Sequence, residues 1–102
     1  MITTVLGDIS KNEISVTSAH EHLLIDLRPI VDEPQGGAEG FYEKLCLSNR
    51  YRIYSDPYAM LDNAILSDTS VALDELKAFY SAGGRTIVDV TLDEIGRDPA
   101  AL

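Results

Sequence analysis

Hydrophobic and polar positions along the chain change period several times, and each change marks an element. Ile2-Thr3-Thr4-Val5-Leu6 is β-branched and apolar, which predicts a short strand. Gly7-Asp8 and Ser10-Lys11-Asn12 carry turn chemistry. Ile14-Ser15-Val16-Thr17 alternates and predicts a second strand, paired with the first in an N-terminal hairpin. This strand runs toward His20 and His22, and Leu23-Leu24-Ile25 follows. Asp26, Arg28 and Pro29 then break the pattern. The strongest signal comes late. Ala72, Leu73, Leu76, Phe79 and Tyr80 recur at spacings of three and four, the stripe of an amphipathic helix. Asp68, Thr69 and Ser70 offer N-cap side chains, and Gly83-Gly84 suits a left-handed C-terminal cap. Thr86-Ile87-Val88-Asp89-Val90-Thr91 predicts a strand buried on both faces, as in a parallel sheet. Together these segments form a strand–helix–strand crossover, so the fold class is α/β.

Residues 29–58 are less regular. Pro34, Gly36, Gly37 and Gly40 mark a loop, and Phe41 to Leu47 suit one or two helical turns. Tyr51, Tyr54 and Tyr58 interleave with Arg50 and Arg52. Such a mix can stack nucleobases, but a loop packed by its own aromatics fits this acidic chain better. No internal repeat is present. Neither Gly-Gly pair has the spacing and lysine of a phosphate-binding loop.

Charge and composition narrow the function. Eight basic residues against seventeen acidic ones give a formal charge of −9. Phosphate binding relies on Lys and Arg clusters, so nucleic acid and anionic membrane surfaces are not expected partners. No stretch approaches the ~20 apolar residues of a membrane span, and residues 1–8 lack the pattern of a secretory signal. Cys46 is the single cysteine, so no intrachain disulfide can form and a cytoplasmic location is expected. With no histidine near it in sequence, Cys46 reads as an inert or modestly exposed thiol rather than a nucleophile.

Both histidines of the chain lie in His20-Glu21-His22. Alternate residues of a strand share a face, so the two imidazoles converge if this segment is extended. Imidazole is the commonest side-chain metal ligand. His20 and His22 are therefore candidate metal ligands at the end of one strand, and Asp89 and Thr91 stand within or at the end of the next. In parallel α/β barrels, reactive residues project from the C-terminal ends of strands. The plainer alternative is a pair of surface or hydrogen-bonded histidines.

Several blocks resemble the phosphotriesterase-related proteins of the amidohydrolase superfamily. They are Thr4-Val5-Leu6-Gly7, His20-Glu21-His22-Leu23-Leu24-Ile25-Asp26, Asp62-Asn63, Glu75-Leu76, Gly83 through Thr91, and Gly96-Arg97-Asp98-Pro99. The segment from about Arg28 to Pro57 carries little of the resemblance. The resemblance implies a (β/α)8 TIM barrel with two divalent metals, usually zinc. It implies that His20 and His22 ligate the more buried metal. It further implies hydrolysis of phosphotriester, lactone or related ester bonds of small molecules through a metal-activated hydroxide. The family's bridging lysine, later histidines and final aspartate cannot be placed in this sequence. Such a barrel typically needs ~250 residues, and residues 1–102 are expected to be an N-terminal portion of one, holding the hairpin and the first strand–helix–strand. Self-association, or association with a missing barrel portion, is expected from its open edges. On this view the portion alone is inactive. The competing readings are a non-catalytic small domain and one half of a split barrel that needs a partner chain.

Overall fold

The computed structural model describes residues 1–102. The N-terminal hairpin forms between β1 (Ile2–Thr4) and β2 (Gly7–Ile9), paired Ile2↔Ile9 and Thr4↔Gly7. The sequence pattern pairs β1 with 14–17 and puts the turn at Gly7-Asp8. Instead Val5-Leu6 makes the turn, and Gly7, at φ +119°, adopts a conformation open to a residue without Cβ. The Thr4 hydroxyl donates to the Gly7 carbonyl, and Thr3 donates to Asp8, which fixes the tighter register. Ser10 then caps a single 3-10 turn, Lys11–Glu13, with a reciprocal bond from its own N–H to Glu13. That turn displaces the next strand C-terminally, so β3 is Thr17–Glu21 rather than 14–17.

β3 pairs in parallel with β6 (Thr86–Asp89), and α2 (Thr69–Ser81) lies in the crossover between them. The strand–helix–strand reading is thus observed. Asp68 caps α2 by accepting from the Ser70 and Val71 N–H groups. At the other end, Gly84 N–H bonds the Phe79 carbonyl and Gly83 takes φ +102°. The Phe79 ring lies where a Cβ on Gly84 would stand. Two sequence expectations need correction. Leu73 is 52% exposed and Tyr80 63% exposed, so α2 is covered only along Ala72, Leu76 and Phe79. β6 is not buried on both faces, because Val88 is 43% exposed.

Residues 27–64 fold back as a tied loop. Phe41–Leu47 is not helical; the one α-turn here is α1 (Arg52–Ser55). Two short strands that the apolar pattern did not reveal, β4 (Ile25–Asp26) and β5 (Ile65–Leu66), clamp the loop's base antiparallel. Phe41, Met60 and Ala64 are buried beneath it, the Phe41 carbonyl accepts from Leu61 N–H, and Asp62 accepts from Leu45 N–H. The tyrosines at 51, 54 and 58 are exposed rather than packed within the loop. No helix is long and apolar enough to cross a membrane.

Only five of 102 residues are buried, and the surface amounts to 7618 Å². A compact chain of 11.2 kDa would expose about 5,700 Å². The radius of gyration, 16.6 Å, likewise exceeds the about 13 Å of a compact domain this long. An apolar cleft of about 440 Å³ between α2 and β6, lined by Leu73, Leu76, Phe79, Tyr80 and Ile87, is one place where that excess lies.

Met60 has no exposed surface, so Met60→Ala should cost about 2–5 kcal/mol. The loss should show as faster proteolysis within residues 41–64. Tyr54→Ala, at a side chain already in solvent, should leave that rate nearly unchanged.

Candidate metal centre

The site is assembled where the two parallel strands end. The register runs Thr17↔Thr86 and Ser18↔Ile87, and then Glu21↔Asp89. Three steps on β3 thus match two on β6, so one extra residue bulges at Ala19-His20. Bulges re-aim side chains and recur beside functional sites. His20 lies in this bulged stretch and is exposed; His22 follows the last strand residue and is half-buried. Despite the bulge the two rings lie side by side, with centroids 5.5 Å apart and planes at 77°.

Two imidazoles on one tetrahedral zinc, each bound at about 2.0–2.1 Å, place their centroids about 5 Å apart. The observed pair fits that separation. Glu21, between them, is occupied by the Ser18 hydroxyl. No third histidine, cysteine, aspartate or glutamate joins to make a group of three. The separation of the two histidines is thus compatible with two positions of a metal site, and no group of three such donors is present.

β6 holds His22 in place. The Thr91 hydroxyl lies 2.9 Å from His22 Nδ1 and 3.4 Å from the Leu24 carbonyl. The Asp89 carboxylate accepts from Leu23 N–H at 2.9 Å and from Thr91 N–H at 2.9 Å. Asp89 thus straps the segment after β3 to the end of β6, and both its oxygens already have N–H partners. Burial pushes its carboxyl up, but hydrogen bonds from Thr91 and Leu23, helped by the charge of His22, outweigh burial and hold it below the ordinary carboxylate range. The sequence placed Asp89 and Thr91 at a strand end but gave neither a partner. The only available signal was their two-residue spacing after a β-branched run, matching that of the histidines.

Cys46 is exposed, and the Ser48 hydroxyl beside it lowers its thiol from the usual value. It lies far along the chain from both histidines and takes no part in the pair.

A parallel strand–helix–strand with adjacent imidazoles at its C-terminal edge is an α/β architecture with a candidate metal motif. The sequence model of the phosphotriesterase family matches residues 1–102, and the chain belongs to this family of hydrolases. It is 32% identical to the N-acetyltaurine hydrolase of Dictyostelium discoideum, over 96% of this chain and 32% of that protein. It is 31% identical to the N-acetyltaurine hydrolase of Salmo salar, over 95% and 28% respectively. A phosphotriesterase-related protein of Nematostella vectensis is 28% identical across 100% of the chain and 31% of its own length. Among solved structures, a resiniferatoxin-binding protein from Rhodobacter sphaeroides superposes with a TM-score of 0.91 at 34% identity, over 98% of this chain and 28% of that one. The chain therefore spans less than a third of the length of these relatives.

A carboxyl held below its ordinary range contributes stability that is complete above the unfolded value, about 3.9. That stability is lost as pH falls through the lower folded value. Asp89→Asn puts an amide N–H₂ against a backbone N–H donor and should cost about 1–3 kcal/mol near neutral pH. Denaturant unfolding across pH should show a shallower acid limb in the variant than in the wild type.

Proposed function

We propose that the chain is the part of a metal-dependent hydrolase barrel that carries the first two metal ligands, His20 and His22. The observation that supports this best is the 5.5 Å separation of the two imidazoles at the C-terminal edge of parallel strands, in a chain of the phosphotriesterase family. On this reading the fold is the opening portion of a (β/α)8 TIM barrel. The remaining ligands come from residues outside these 102, on the same polypeptide or on a partner chain.

When bound, a divalent metal such as zinc polarises a carbonyl or phosphoryl oxygen and makes water nucleophilic near neutral pH. The chain's own part is to present two neutral imidazoles from a rigid edge. The β3–β6 pairing fixes their spacing, and the Asp89 strap keeps the segment after β3 from swinging away. Substrates of this chemistry share an electrophilic centre with a polarisable oxygen: phosphotriesters, lactones and other esters, and acyl amides. The relatives named N-acetyltaurine hydrolase favour the amide among these. The incomplete ligand set and the excess surface, about 1,900 Å² beyond a compact chain of this mass, both favour a chain that works covered by further barrel elements.

Catalytic zinc sites use about three protein ligands plus water. The full chain alone should therefore hold zinc weakly and lose it on gel filtration. Calorimetry should register a single weak site that His20→Ala or His22→Ala abolishes, with little change in stability for the exposed His20. A chain that retains two zinc ions by itself and hydrolyses N-acetyltaurine, a lactone or paraoxon would overturn the incomplete-site reading. Weak zinc binding that survives both substitutions would overturn the ligand assignment.

A further inference from the structure

We propose that Thr91 is a positioning residue that holds His22 as its Nδ1–H tautomer, so that Nε2 keeps a free lone pair to offer a divalent cation. The inference rests on the reading of His22 as a metal ligand, but its structural half stands without any metal.

The hydrogen-bond bookkeeping around one hydroxyl carries it. Thr91 is 5% exposed, so its hydroxyl must find its partners within the protein. A hydroxyl has one proton to donate and two lone pairs to accept with. Its neighbours are the Leu24 carbonyl at 3.4 Å, His22 Nδ1 at 2.9 Å and the Asp89 carboxylate, which the hydroxyl also reaches. A carbonyl can only accept, and Thr91 is the side chain that reaches this one. An ionised carboxylate can only accept as well. Giving the proton to Leu24 or to Asp89 therefore makes the contact with His22 one in which Nδ1–H donates and the threonine oxygen accepts. The opposite orientation would deny the proton to both oxygens and put the ring proton on Nε2, where it would block a metal. A ligating histidine characteristically donates its other N–H to an oxygen, which fixes both tautomer and ring direction.

Asp89 makes the arrangement rigid. By accepting from Thr91 N–H and Leu23 N–H, it fixes the backbone that bears the hydroxyl and the backbone beside the imidazole. Two strand ends, one carboxylate and one hydroxyl thus set one ring. His20 has no such partner. Its ring meets His22 edge to face and makes no side-chain hydrogen bond of its own. Of the two imidazoles, one is oriented before a cation arrives and the other is free to turn onto it.

Because these are the only histidines of the chain, their ring signals can be read without ambiguity. The test is long-range ¹H–¹⁵N correlation on the full chain, freed of metal with a chelator and held alkaline so that both imidazoles are neutral. His22 should show the Nδ1–H pattern and differ from His20, the internal reference. Thr91→Val should move His22 toward the His20 pattern, and Thr91→Ser should restore it. The wild-type spectrum decides even if the valine variant fails to fold. An Nε2–H pattern at His22 in the wild type would overturn the proposal, as would a folded valine variant with an unchanged tautomer. Zinc titration adds the functional half: Thr91→Val should weaken binding by about 10–100-fold. A wild type with the Nδ1–H pattern that takes no zinc would overturn the ligand reading of His22 and leave the tautomer assignment standing.

Discussion

The parallel pairing of β3 with β6 is the constraint on which the rest of the structure depends. Parallel strands cannot be joined by a tight turn, so the chain must leave, build a crossover and return. Everything between His22 and Arg85 is that crossover: the clamped loop, α2 and its two caps. The return brings Asp89 and Thr91 beside a segment nearly seventy residues earlier in sequence, with His22 and Thr91 separated by 69 positions. A hydrogen bond over that distance is affordable only because the strand pairing has already closed the loop.

The pairing also explains why the chain is under-covered. A parallel sheet is normally sheathed on both faces, but here one helix attends two strands. Leu73, Tyr80 and Val88 consequently stay in solvent, although the sequence marks them as core. Their apolar surface is left facing solvent. The same deficit applies to the chemistry, where two imidazoles lie side by side and no third donor joins them. Sparse covering and a two-histidine set occur in the same chain, which is what the proposed barrel portion would show.

Legibility in the sequence followed the range of the interactions. α2 was readable because its stripe, its Asp68 cap and its Gly83-Gly84 stop are local signals that agree. The Thr86–Asp89 strand was readable from β-branched density. The hairpin was misplaced because its turn, Val5-Leu6, uses two apolar residues where Gly7-Asp8 looked the better turn. What decided it was cross-strand side-chain bonding from Thr3 and Thr4. β4 and β5 were missed because two-residue strands carry no period; only their pairing across the loop makes them strands. The histidine pair was visible as a motif, and the bulge before it was not, since a bulge is a property of two strands. Thr91 and Asp89 could be placed at a strand end, but their partners are non-local.

If His20 and His22 are two ligands of one metal ion, as proposed, zinc must act on both rings at once. The most direct measurement follows both histidine side chains by ¹⁵N chemical shift as zinc is added to the full chain. The two should move together with one shared midpoint, each perturbed at a single ring nitrogen, while the backbone amide of Cys46 stays unmoved. Separate midpoints for the two rings, or zinc drawn to Cys46 with both imidazoles unchanged, would contradict it.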